Sequence, residues 1–172
     1  MNNSKRLFTG LVLSVLSFPG TGLHAQTKEE TKDFLLEKAT IKFTDIPFPN
    51  DSPKYRVDYT QSLKLEKDLL VVTKSGRHYN GKYKTSESIC TVYLKDLNPK
   101  RVTVDSSQVV FHTTENQKRV RSIDKYDGKT STDYHTDLFG IMFENERMAK
   151  RAANAFAHLI TICGGKGDRF DD

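Results

Sequence analysis

Between Lys74 and Lys84 the chain gathers Lys74, Arg77, His78, Lys82 and Lys84 around two tyrosines, Tyr79 and Tyr83. Cationic side chains crowded into one loop can grip phosphate, sulfate or carboxylate groups, and a guanidinium such as that of Arg77 can hold two oxygens at once. A solvated hairpin tip kept soluble by its lysines has the same composition. A second basic group, Arg119, Arg121 and Lys125, follows, with Lys100 and Arg101 as candidate neighbours across a sheet. Strand alternation would put Arg119, Arg121 and Lys125 largely on one face, able to accept an anion or to pair with nearby carboxylates. Asp133, His135 and Asp137 alternate in the same way, about 6.6 Å apart along an extended strand. Two of these could share a metal ion, with His112 the obvious source of a third ligand. A solvent-facing polar strand edge is the simpler reading of the three. Metal sites need three or four ligands in fixed geometry, and the chain lacks a close-spaced histidine or cysteine motif, so no metal and no cofactor are expected.

Catalytic chemistry finds little footing. The sequence has no GxSxG elbow, no phosphate-cradling glycine loop, and no serine or cysteine at a telling distance from a histidine. Cys90 and Cys163 are the only cysteines, and both fall in apolar patterns where thiols are inert. In an oxidising compartment they could close a disulfide worth about 4 kcal/mol on loop-entropy grounds. Two buried thiols acting as small hydrophobes read the same way. No catalytic residue is assigned. His158 falls on the polar side of a helix and reads as a surface histidine.

The compartment follows from the first twenty-five residues. Lys5 and Arg6 precede the short apolar run Leu7 to Phe18, Pro19-Gly20 breaks it, and Ala25 offers a small residue at a cut before Gln26. That is the layout of a signal peptide, too short for a permanent bilayer span, so a periplasmic or secreted protein without a transmembrane segment in its mature chain is expected. Of 172 residues, 27 are Lys or Arg and 22 are Asp or Glu, a formal charge of +5. Lys5 and Arg6 leave with the leader and lower that charge by two. So modest a charge gives no reason to expect nucleic acid. What remains is the size of one domain with one core.

The elements that must position these residues are legible from periodicity. Thr27 and Glu30 form a capping box ahead of a short helix ending before Thr40. Three prolines between Ile46 and Pro53 read as a rigid connector. From Tyr55 to Leu65 the apolar residues alternate, with Gln61 the one polar intruder on the apolar side. Further strands are expected over Leu69–Thr73, Cys90–Leu94, Arg101–Val104, Gln108–Thr114, Arg119–Ile123 and Thr136–Phe143, with loops at Ser75–Lys84 and Asp127–Thr132. Short strands without intervening helices indicate an antiparallel meander. From Asn145 onward Met148, Ala149, Ala152, Ala153, Phe156, Leu159, Ile160 and Cys163 mark one face of an amphipathic helix, which Gly164-Gly165 ends. Lys166 to Asp172 read as a disordered charged tail.

This order, together with Asp96-Leu97-Asn98-Pro99 and the closing Asn145–Gly165 run, resembles the pleckstrin-homology-like (PH-like) fold. The ending Ala155-Phe156-Ala157-His158-Leu159-Ile160 through Cys163-Gly164-Gly165 is also similar to a group of uncharacterised exported bacterial proteins. The resemblance implies a mainly β, α+β domain: a seven-stranded, antiparallel, partly open barrel over residues 54–165, capped by the amphipathic helix. Residues 1–25 would be the signal, 26–53 the leader helix and connector, and 166–172 the tail. By analogy it implies a binding module rather than an enzyme. The expectation is therefore an exported, non-catalytic binding or assembly module of the cell envelope, whose partner is a protein or an anionic envelope component. A carrier of a lipid-like ligand, with its cavity under the C-terminal helix, is the alternative, and an unrecognised hydrolase the third.

Overall fold

A computed structural model describes residues 27–47, 56–79 and 83–168. The expected signal (residues 1–25), most of the expected proline-rich connector (residues 48–53), Lys82 and residues 169–172 lie outside the described residues, as does the side chain of His78. The chain opens with helix α1 (Lys28–Lys38), started by the expected capping box: Glu30 N donates to Thr27 Oγ1 at 3.2 Å, and Thr27 N donates to Glu30 Oε2 at 2.9 Å. Strands β1 (Ile41–Pro47), β2 (Arg56–Glu66), β3 (Leu69–Tyr79) and β4 (Tyr83–Tyr93) follow, then β5 (Thr103–Asp105), β6 (Gln108–His112), β7 (Val120–Tyr126), β8 (Lys129–Thr136) and β9 (Leu138–Met142). Helix α2 (Glu146–Ile162) closes the chain. The protein is thus mainly β with a C-terminal helix, as the periodicity indicates.

All strand pairs are antiparallel and form two sheets, one ordered β1-β2-β3-β4-β7-β8 and the other β5-β6-β9. Strands β1 and β8 are the edges of the large sheet, and among the described residues no closed barrel forms. Nine strands are described where the sequence reading counts seven, the additions being β1 and β8. Pro47 is accommodated because β1 is an edge strand, which can dispense with one ladder donor. The expected loop over Ser75–Lys84 is mostly strand, since β3 runs to Tyr79 and β4 starts at Tyr83. The expected mobile loop over Asp127–Thr132 is a tight hairpin. Asp127 (φ 48°) and Gly128 (φ 77°) supply the paired positive φ of a two-residue turn, a conformation that Asp-Gly favours.

The large sheet's core-facing side contributes Leu63, Leu70, Val72, Val92 and Val120 to a single buried cluster with Val109, Phe111, Phe139 and Ile141 of the small sheet. Helix α2 completes it, burying Ala149, Ala152, Phe156, Leu159 and Ile160 to 0–1% exposure. Its stripe meets the small sheet through rings: Phe156 lies edge-on to Phe111, with centroids 4.8 Å apart, and Phe111 stacks on Phe139 at 4.7 Å. The alanines let α2 sit close to its neighbours, which include α1, β5 and β6. Gln61, the polar intruder, is 1% exposed and ties three elements together. Its Nε2 donates to the carbonyls of Ala39 and Met142 at 2.9 Å, and its Oε1 accepts from Met142 N at 2.9 Å. Its amide completes the edge of β9 as a neighbouring strand would. That satisfies backbone groups whose burial would otherwise be costly.

Helix α2 ends in a Schellman arrangement: Gly164 has φ 88°, Gly164 N donates to Thr161 O, and Gly165 N donates to Ile160 O. A Cβ on Gly165 would lie 2.3 Å from Ile160 Cγ2 and 2.8 Å from Leu97 O. The chain then turns back over the molecule. The beginning of the expected disordered tail is docked instead: Thr114 Oγ1 donates to Lys166 O at 3.0 Å, and Asp168 accepts from Glu115 N and from Arg101 Nη1.

Candidate functional site

The described members of the basic cluster, Lys74, Arg77 and Lys84, do not converge on one point, because a strand sends successive side chains to opposite faces. Lys74 shares the parity of Leu70 and Val72 and faces the core side. Arg77 shares the parity of Thr73 and Ser75 and faces outward. Lys84 follows Cys90 and Val92 onto the core-facing side, where its Nζ lies 5.5 Å from the centroid of the Tyr126 ring. The structure thus separates Lys74 and Lys84 from Arg77.

Arg77 instead joins a groove of about 680 Å³ on the outward face of the large sheet. Two cross-strand rows build it. In the first, Lys42 on β1 stands opposite Thr60 on β2, Thr60 opposite Ser75 on β3, Ser75 opposite Glu87 on β4, and Glu87 opposite Lys125 on β7. The row crosses five strands, about 19 Å at the usual inter-strand spacing. In the second, Asp58, Arg77 and Thr85 are successive partners on β2, β3 and β4. Gly76, Ser86 and Gly128 also border the groove. Lys125 Nζ bonds Glu87 Oε2 at 2.8 Å, an ion pair with about a third of each side chain exposed. Lys42 has no ion-pair partner among the described residues. Lys42, Asp58, Thr60, Ser75 and Glu87 form no motif in the sequence, although the alternation of β2 already places Asp58 and Thr60 opposite its apolar side.

The second basic group is also divided. Arg119 precedes β7 and pairs with Asp96 at 3.3 Å. Arg121 and Lys125 do share the outward face, but each meets a carboxylate. Arg121 holds both oxygens of Asp133, at 3.1 and 2.7 Å. That hydrogen bonding holds the Asp133 carboxyl below the usual carboxylate range. Asp137 lies past the end of β8, so Asp133, His135 and Asp137 do not form the straight row an uninterrupted strand would give. His112 lies elsewhere, its Nδ1 3.3 Å from Arg101 Nη2, and burial with this cation lowers its pKa. Among the described residues no three His, Cys, Asp or Glu side chains are placed to share a metal ion. Arg101 does not join the second basic group across a sheet; it also reaches Asn116 Oδ1 at 2.5 Å.

On the core-facing side, Lys74 occupies a rung between Gln61 and Ser88. Burial lowers its pKa, and no hydrogen-bond or ion-pair partner lies among the described residues. Burial likewise pushes the Tyr59 hydroxyl up to about 12, with Cys90 adding to the effect. Both cysteines are free thiols. Cys90 Sγ lies 3.6 Å from Ser122 Oγ, and Cys163 Sγ donates to Asp68 Oδ1 at 3.3 Å. Lys28 Nζ bonds the same Asp68 oxygen at 3.0 Å. Burial, then the Asp68 hydrogen bond, raises the Cys163 thiol pKa, the direction of an unreactive thiol. His158 is exposed on α2, as its place on the polar stripe indicates.

No family model, curated protein or solved structure matches the chain. Among the described residues no helix is long and apolar enough to cross a membrane.

Proposed function

We propose that this chain is an exported, non-catalytic binding or assembly module of the cell envelope, and that its outward groove is the contact surface. One observation carries the reading: the five-strand row from Lys42 to Lys125 sets charged and hydroxyl side chains on a rigid sheet, with open space above them. A surface built on paired strands loses little conformational freedom when it engages a partner. The groove's charged groups answer one another across strands, as Glu87 does for Lys125, instead of activating a nucleophile. The leader layout in residues 1–25 supports export. Antiparallel strands followed by a closing helix support the PH-like reading in its open, two-sheet form. The space under α2, where a lipid-like carrier would hold its cargo, contains Phe111, Phe139 and Phe156.

The test is retention of purified protein on a native envelope fraction. Arg77→Ala combined with Lys42→Ala should reduce retention about tenfold through the loss of two solvent-exposed charged contacts. Equal retention by the variant and the parent protein, both folded, would remove the groove from the binding surface.

A further inference from the structure

The groove's chemistry is more selective than its cations suggest. It holds three donors without acceptor capacity, Lys42, Arg77 and Lys125, and two acceptor-only carboxylates, Asp58 and Glu87. Between them lie the outward hydroxyls of Thr60, Ser75 and Thr85, each able to donate and accept. A polyanion laid along this row would meet both carboxylates and would compete with Glu87 for Lys125. A ligand rich in hydroxyls meets the opposite situation. Its O–H groups can donate to Asp58 and Glu87 while its oxygens accept from the cations. We propose that the groove binds an oligosaccharide that is neutral or bears a single carboxylate, extended across the strands from Lys42 toward Lys125. This rests on the binding-module reading above and narrows its ligand from an anionic component to a hydroxyl-rich one.

Two consequences follow from the composition of the site. Among the described residues no aromatic ring lines the groove; the described lining binds through hydrogen bonds exchanged against water, and dissociation constants near the millimolar range are expected of it. The opposed charges nearly cancel, so binding should change little with salt, unlike capture of a polyanion.

The experiment titrates purified protein, by NMR or calorimetry, with a panel of neutral and uronic-acid-bearing oligosaccharides. Dextran sulfate serves as the polyanion, and both are run at low and high salt. The comparison variant carries Asp58→Asn and Glu87→Gln, near-isosteric changes on half-buried outward rungs, and its melting temperature reports that the fold is intact. Support is salt-insensitive binding of at least one oligosaccharide, weakened about tenfold in the variant through loss of charged acceptors. If dextran sulfate binds best, fades with salt and binds the variant more tightly, the oligosaccharide assignment falls while the binding-module reading stands. If no oligosaccharide binds although the envelope fraction still retains the protein through Arg77 and Lys42, the assignment also falls. Loss of that retention test as well would bring down the binding-module reading with it.

Discussion

The two faces of the large sheet use similar residues for opposite ends. On the outward face Lys125 meets Glu87, Arg121 meets Asp133, and hydroxyls fill the rungs between. On the core-facing side Lys74, three residues before Arg77, occupies a largely buried rung with no counter-charge among the described residues. A charge in water or beside its partner costs little, whereas a buried and unpaired one costs stability and shifts its pKa toward the neutral form. One face is therefore a surface of paired charges and hydroxyls. The other is a core whose polar members must each be accounted for.

That contrast can be broken most forcefully in the core. Phe156→Ala removes the ring that α2 sets against Phe111 and should destabilise by about 4 kcal/mol, read by denaturant titration. A loss below about 1 kcal/mol would mean that α2 does not seal the small sheet. Gln61→Leu comes next. It leaves the carbonyl of Ala39 and both main-chain groups of Met142 without the amide that serves them, and a loss of about 3 kcal/mol is expected. Near-neutral stability there would show that water replaces the amide. The smallest change runs the other way. Lys74→Met should stabilise at neutral pH by about 1 kcal/mol, because it removes a buried ammonium and keeps the aliphatic stem. The sign follows from the lowered pKa: the charged form is the disfavoured one in the folded state, so the penalty is full below the folded value. It fades as pH rises toward the unfolded value of about 10.4. The gain should therefore shrink in alkaline solution, and a stability difference independent of pH would contradict the buried-ammonium account.

Much of the fold was open to reading in the residues. The stripe from Met148 to Cys163 predicts α2, the capping box predicts α1, and alternation predicts β2 with Gln61 on its core side. The β7–β8 hairpin is hidden from periodicity although Asp127-Gly128 is a strong turn signal, because the polar run Lys129–Thr136 has no apolar face to mark a strand. All but the last of its residues are exposed, and β7 alone holds it in the sheet. The far end of the long β3–β4 hairpin is masked for the same reason: glycine and charge suggest a loop where cross-strand pairing continues to Tyr79.

The site was less legible than the fold. Proximity in sequence gathered Lys74, Arg77 and Lys84 into one cluster, yet strand parity, a purely local rule, already divides them. Local rules cannot bring Lys42, Asp58, Glu87 and Lys125 together, since that requires the register of five strands drawn from distant parts of the chain. Periodicity, caps and turn residues settle which segments become helices and strands, because they act within a few residues. Which outward side chains become neighbours, what Gln61 bonds, and where the Lys166–Asp168 segment docks were settled only on folding, when ladder hydrogen bonds and the shared core fixed one strand order.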